Sequence, residues 1–346
     1  MKKIILTIDY ELFLGKVTGT VEDCMIKPTE KLASILNENG SKMTVFWDVL
    51  HYYRLLEIEE NFNEIKQDRI LIEKQILDLA AAGHDIQLHL HPHWLDALYI
   101  EGKWNFTYKR FKLHNLSDKL IKEDINTITG CVAASKNLIE NLIKQVKPDY
   151  RVTTFRAGGY LIEPFLQIRE ALIVNDIFID SSICPGLTND NEIFSFNFIG
   201  YPDNNSYKFD VSPKMAADNG KFLELPITTV RIPAYKNLIF TVIKKIKYPH
   251  LEKGRKGIGS GYSTNNNNNK YFVKRLRKVT RDKNNQFTTD SNFKEKFDYI
   301  FNKVPQKSTM ILHPKLLNNH TCAILNDYIS NLKVNFISIK DYLEKK

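Results

Sequence analysis

Apolar residues recur along this chain in short continuous runs, each ending on polar, chemically capable residues and followed by a segment of helical periodicity. Residues 3–8 predict a strand that ends on Asp9-Tyr10-Glu11, two carboxylates sharing one side of an extended backbone. Residues 28–39 predict a helix, with Pro28 in its first turn, Leu32, Ile35 and Leu36 on its apolar face and Gly40 as its stop. A second strand over 43–47 ends at Asp48, and an amphipathic helix over about 65–82 leads into a third strand at 84–88. Residues 95–116 read as an aromatic and basic excursion, and 118–146 as a long helix. Strands at 152–155 and 177–179, separated by a helix over 163–174, end on Arg156-Ala157-Gly158-Gly159-Tyr160 and Asp180-Ser181-Ser182. Beyond an irregular stretch at 185–220 come a strand at 222–225, a helix near 292–304, a strand at 308–312 ending on His313-Pro314, a helix, a strand at 336–339 and a terminal helix. Strands alternating with helices predict an α/β fold with a parallel sheet, and about seven strand ends suit a (β/α) barrel in one domain, 1–346, with insertions.

Composition narrows this little. With 346 residues and 43% hydrophobic content the chain can bury a large core. The apolar stretch at 4–8 stops at Asp9, too short for a secretion signal, and no run approaches a membrane span. Cys24, Cys131, Cys184 and Cys322 are isolated and predict reduced thiols in a cytoplasmic protein. The net charge of +9 is local: residues 231–283 hold fifteen Lys and Arg against Glu252 and Asp282, a net +13, leaving 9 − 13 = −4 for the rest. A basic insert over 231–285, with a low-complexity asparagine run at 265–269 expected to be flexible, suggests a docking surface or flap. No nucleic-acid reading motif accompanies it.

The densest chemistry lies between Gly83 and Trp94, where four of the nine histidines stand within ten residues, in G-H-D-I-Q-L-H-L-H-P-H-W. Clustered imidazoles fill a core poorly, because each ring nitrogen needs a proton, a partner or a metal. If the backbone stays extended, His89 and His91 share one side; if it turns after Leu90, His89 and His93 converge. Pro92 forces a bend near here. A carboxylate with two histidines can hold a divalent ion, Zn²⁺ being the first expectation, and leave a position open for water. A second carboxylate can take that water's proton, and His313 can protonate a leaving group, which together describe hydrolysis of an amide or ester. Each residue also has an ordinary structural reading, Asp180 as a helix cap or Arg156 as an ion-pair partner, and it is their co-occurrence at strand ends that favours chemistry.

The segments T-I-D-Y-E, H-L-H-P-H-W, R-A-G-G-Y, D-S-S and I-L-H-P occur in that order, each closing a predicted strand, over about residues 4–316. In this the chain resembles the polysaccharide deacetylase family, the NodB-homology group or carbohydrate esterase family 4. The resemblance implies a distorted (β/α)7 barrel and metal-dependent removal of N- or O-acetyl groups from sugars. It implies Asp9 as the base, Glu11, His89 and His93 as metal ligands, with His91 in reserve, and Arg156 as the partner that keeps Asp9 ionised. It implies a backbone amide near Tyr160 for the oxyanion, His313 as the acid and Asp180 as the carboxylate orienting it. Glu11 departs from the family's usual aspartate, and Gly158-Gly159 from its usual proline-containing turn. Trp94, Gly158 and Gly159 are the candidates for contact with substrate.

The expected substrate is an acetylated carbohydrate, a cytoplasmic sugar or lipid-linked saccharide of surface-polysaccharide synthesis. The segment 237–247 joins an apolar run to lysines as an interfacial helix would, so the insert is expected to meet anionic lipid or a lipid-linked substrate at the inner face of the membrane. The alternatives are an amidohydrolase-like metal enzyme built on His89 and His91, and a catalytically silent saccharide-binding barrel.

Overall fold

The computed structural model describes residues 2–251, 258–261, 282–290, 292–331 and 334–344. Strand β1 (Lys2–Tyr10) is buried on both faces from Ile4 onward, which is why it reads as a continuous apolar run rather than an alternation. It is followed by α1 (Lys27–Glu38), β2 (Thr44–Asp48), α2 (Val49–Ile58), α3 (Asn63–Ala81) and β3 (Asp85–Leu90). A small antiparallel pair, β4 (Leu98–Ile100) and β5 (Lys103–Asn105), precedes α4 (Ile128–Ile143), β6 (Thr154–Ala157), α5 (Leu166–Val174) and β7 (Ile179–Asp180). A second small pair, β8 (Thr188–Asn189) with β9 (Phe196–Asn197), leads to β10 (Tyr207–Phe209) and β11 (Phe222–Glu224). Then β12 (Thr229–Ile232) and β13 (Lys283–Gln286) pair antiparallel on either side of α6 (Ala234–Lys247). The chain closes with α7 (Lys294–Lys303), β14 (Lys307–Leu312), α8 (Asn319–Ser330), β15 (Val334–Ile337) and α9 (Ile339–Glu344).

The main sheet runs β10-β11-β7-β6-β3-β2-β1-β14. From β11 to β14 every neighbouring pair is parallel, giving the seven strands of a curled (β/α) barrel. Only β10 is antiparallel. β1 is the hub: β14 lines one edge, while the other edge is shared by β15 at Lys2–Ile5 and β2 at Thr7–Tyr10. No strand pairing joins β11 to β14 among the described residues. The gap is bridged instead by Thr228 N–H to the Thr309 carbonyl (3.0 Å), Phe287 N–H to the Thr228 carbonyl (2.8 Å) and Ile311 N–H to the Phe287 carbonyl (3.1 Å). This is the distortion of the barrel.

Helices α4 and α2 depart most from the sequence pattern, and the short strands β4, β5, β8, β9, β10, β12 and β13 have no counterpart in it. Helix α4 begins at Ile128, ten residues later than the pattern suggested, because Thr127 caps it: the Thr127 hydroxyl oxygen accepts from Gly130 N–H at 2.9 Å. The preceding chain folds back so closely that a Cβ on Gly130 would lie 2.0 Å from the Asp124 carbonyl. Helix α2 lies in a stretch where the pattern predicts no element, and buries Val49, Leu50, His51, Tyr52 and Leu55. Residues 252–257 and 262–281 of the basic insert, including the asparagine run at 265–269, lie outside the described residues. Among the described residues no helix is long and apolar enough to cross a membrane.

Candidate active site

The curl of the sheet brings the end of β6 across to the end of β1. Arg156, fully buried, donates to Asp9 Oδ1 (2.6 Å), Thr7 Oγ1 (3.1 Å), Ser181 Oγ (3.0 Å) and the Ser181 carbonyl (2.7 Å), and its guanidinium lies 4.0 Å from the Phe46 ring centroid. Burial would push the Asp9 carboxyl up, but Arg156, helped by His89 and His313, holds it below the usual carboxylate range. Asp9 is therefore a buried, ionised carboxylate. Its second oxygen lies 3.5 Å from His313 Nε2.

Glu11, immediately past β1, meets the end of β3. His91 Nε2 lies 2.8 Å and His89 Nε2 3.4 Å from the same oxygen, Glu11 Oε2, and the three donor atoms fall within 4.8 Å of one another. His89 Nδ1 stands 2.9 Å from the Arg156 carbonyl, an acceptor, so Nδ1 carries the proton. In a neutral ring Nε2 then points a lone pair at a carboxylate oxygen, an arrangement favoured only by positive charge between them or on the ring. The same demand shows in the His89 pKa: burial opposes the charge, but Asp9 and Glu11 outweigh it and push the value up to about 9. Two imidazoles and one carboxylate thus fit a divalent ion of the Zn²⁺ class.

His93, expected as the second histidine ligand, is not brought to Glu11. Strand β3 ends at Leu90, and Pro92 opens a single 3-10 turn, Pro92–Asp96, that swings His93 into an aromatic box. Its ring lies 4.8 Å from Phe106, 5.3 Å from Phe111 and 5.7 Å from Trp94, centroid to centroid. Burial holds its pKa well below the ordinary value. His91, still in strand alternation with His89, takes the position beside Glu11. Asp48, at the end of β2, braces that turn: its oxygens accept from His91 N–H (3.3 Å) and Trp94 Nε1 (2.8 Å). Trp94, a candidate for contact with substrate, is fully buried here and does not face the cavity.

The acid expected at His313 lies at the end of β14, but its partner is not Asp180. His313 Nδ1 lies 2.8 Å from Asp290 Oδ2, which also accepts from the His313 backbone N–H at 3.1 Å. Burial opposes protonation of His313, yet Asp290 and Asp9 raise its pKa. Asp180 instead accepts from Ser182 N–H (3.1 Å) and Ser182 Oγ (2.7 Å), and sits in register with Glu224 of β11. Burial raises the pKa of both Asp180 and Glu224, most strongly Glu224, whose charge the neighbouring Asp180 further opposes. This pair is a buried carboxyl couple behind Arg156. Asp290 lay outside the sequence expectations, since a loop carboxylate 23 positions before His313 carries no local signal.

Lys315, two residues past His313, was also missed: its ammonium donates to Glu11 Oε1 (2.8 Å) and the Leu12 carbonyl (2.7 Å). With His91, it holds the Glu11 carboxyl well below the usual range against the opposing effect of burial. The turn after β6 completes the site. Gly159 (φ +60) and Tyr160 (φ +64) are left-handed and line a cavity of about 450 Å³ with Asp9, Glu11, His89, His91, His313 and Lys315. Gly158 is buried beneath it; a Cβ there would lie 2.3 Å from the Leu90 carbonyl and 2.7 Å from His91 Nδ1. The Tyr160 hydroxyl accepts from Gln286 Nε2 at 3.0 Å.

No protein-family model matches the chain, and no curated protein matches it in sequence. Among solved structures it aligns with an allantoinase at 10% identity and a TM-score of 0.43, over 98% of this chain and 88% of the other. It aligns with a probable polysaccharide deacetylase from Pseudomonas aeruginosa at 11% identity and a TM-score of 0.40, over 98% and 88%. A polysaccharide deacetylase from Bacillus cereus aligns at 12% identity and a TM-score of 0.37, over 98% and 92%.

Proposed function

We propose that this chain is a metal-dependent hydrolase of the polysaccharide-deacetylase kind, removing an acetyl or related acyl group from a carbohydrate amide or ester. The observation that carries this reading is the position of Asp9, with one oxygen on Arg156 and the other toward His313, beside the Glu11, His89 and His91 cluster. A divalent ion on those three ligands, Zn²⁺ by the chemistry of the donor set, would acidify water and polarise the acyl oxygen. Asp9, kept ionised by Arg156, accepts the proton of the attacking water. The water oxygen bonds to the acyl carbon and the carbonyl electron pair moves onto its oxygen; as that pair returns, the C–N or C–O bond breaks. His313, held by Asp290, gives its proton to the leaving atom. The left-handed turn at Gly159-Tyr160 is the proposed source of the amide facing the oxyanion.

The contact of His89 and His91 with Glu11 also favours a second reading, an amidohydrolase-like enzyme acting on a non-sugar amide. The ligand from β1 and the separate acid at His313 fit the deacetylase reading better. Cytoplasmic action on a lipid-linked or free sugar intermediate remains part of the proposal. Contact with a lipid-linked substrate is supported by α6, which exposes Leu238, Ile239, Val242 and Ile246 and carries Lys244, Lys245 and Lys247 in its last turn.

The test is hydrolysis of a panel of N-acetylated sugars, sugar nucleotides and cyclic amides by zinc-loaded protein, read as acetate release for the first two and as ring opening for the third. The proposal expects turnover of an acetylated sugar, abolished in Asp9→Asn while metal content is unchanged. Turnover of cyclic amides alone would favour the second reading, and undiminished activity in Asp9→Asn would overturn both.

A further inference from the structure

The cavity above the polar cluster has walls that its floor does not predict. Its charged and imidazole groups are already committed: Asp9 to Arg156, Glu11 to Lys315 and the two histidines, and His313 to Asp290. Around them stand Phe13, Leu14, Phe111, Phe194 and Leu316, with Tyr160 and two glycines. Among the described lining residues there is no Ser, Thr, Asn or Gln, the side chains that commonly read sugar hydroxyls. Walls of this kind are matched by apolar substrate surface, and an acetyl methyl would cover only a small part of the Phe111 and Phe194 wall.

The walls also have a direction. The Phe111 and Phe194 ring centroids lie 5.8 Å apart, and a Cβ on Gly159 would lie 3.1 Å from the Phe111 ring and 3.6 Å from Phe194 Cβ. Phe111 is also 5.3 Å from the His91 ring. This wall therefore belongs to the metal-ligand and Gly159-Tyr160 side. His313 lies elsewhere, with Leu316 N–H donating to its carbonyl at 2.8 Å and Phe13 under the Lys315 ammonium at 5.3 Å. In acyl transfer the leaving atom faces the acid, so the acyl chain extends from the opposite side of the reacting carbon.

We propose that the site takes an acyl group longer than acetyl, butyryl or beyond, whose chain lies on Phe111 and Phe194. The inference rests on the hydrolase reading and specifies its acyl group. Each methylene moved from water onto these rings should raise kcat/KM about fourfold until the wall is covered.

The experiment measures kcat/KM on zinc-loaded full-length protein for N-acetyl, N-butyryl, N-hexanoyl and N-octanoyl derivatives of glucosamine, with wild type, Phe194→Ala and Phe194→Leu. Calorimetric binding of acetate and octanoate gives a readout independent of turnover. The expected result is at least a tenfold gain from acetyl to butyryl, flattened in Phe194→Ala and retained in Phe194→Leu, with octanoate bound at least tenfold tighter than acetate. Turnover that is best for acetyl and falls with chain length would overturn this inference and leave the hydrolase standing. No acyl release from any substrate, with octanoate still preferred over acetate, would count against the hydrolase reading while the apolar subsite held. Equal binding of the two acids would remove the subsite.

Discussion

Replacing Asp290 by Asn keeps the shape of the loop carboxylate but removes the charge from the oxygen 2.8 Å from His313 Nδ1. That charge is the largest influence raising the His313 pKa against burial, with Asp9 adding to it from 3.5 Å on the other nitrogen. A hydrogen bond to a charged group contributes about 1.5–3 kcal/mol, and one pKa unit corresponds to about 1.4 kcal/mol. Because 16% of the His313 side chain is exposed to screening solvent, the lower end of that range applies, and the His313 pKa falls in Asp290→Asn. The sign follows from the role. An acid acts only while protonated, so a raised pKa extends activity to higher pH and a lowered one removes it there. The alkaline limb of kcat/KM on an N-acyl sugar should move to lower pH, and the His313 ring resonances should titrate at correspondingly lower pH by NMR. An aryl ester, whose phenolate leaves without help, should lose little. Asp180→Asn should leave the limb in place. An unmoved limb and titration in Asp290→Asn, or a shift of either in Asp180→Asn, would show that Asp290 is not the partner that sets the charge of His313.

Three further outcomes follow from the geometry. Glu224 has a folded-state pKa raised far above its unfolded value, so its contribution to stability is present at low pH and is lost as pH rises through the folded pKa. Glu224→Gln should therefore raise the melting temperature more at pH 8 than at pH 5; an equal or reversed effect would show that the Asp180–Glu224 couple is not a buried proton-sharing pair. Arg156→Met leaves Asp9 buried without its partner, a loss of about 3–5 kcal/mol, and should move the acid limb of the activity profile upward; an unchanged limb would mean Arg156 does not set the charge on Asp9. In Gly158→Ala the added Cβ meets the Leu90 carbonyl and the His91 ring, so metal affinity measured by competitive chelation should fall with a stability loss of about 1–3 kcal/mol. Unaltered affinity would separate His91 from that turn.

The strands were legible because both faces of the central sheet are buried, so β1, β2, β3 and β14 appear as apolar runs with functional residues at their ends. Strand alternation alone kept His89 and His91 together; choosing His93 followed the resemblance and assumed that the turn at Pro92 would carry it back toward Glu11. That turn instead packs His93 against Phe106 and Phe111, residues of an excursion whose path no periodicity reveals. Asp290 was illegible for the same kind of reason, since it reaches His313 only because the β12–β13 pair bridges the open side of the barrel. Trp94 reads the same as a sugar platform or a core residue, and only its bond to Asp48 decides between them.

The most direct test of the central claim is metal stoichiometry and affinity in wild type, His91→Ala and His93→Phe, measured with acyl release before and after chelation. The account predicts one zinc per chain and activity that chelation removes and a single equivalent restores. It predicts loss of both in His91→Ala and retention of the metal in His93→Phe, whose ring suits the aromatic box. Metal kept by His91→Ala and lost by His93→Phe, or full activity in chelated protein, would contradict it.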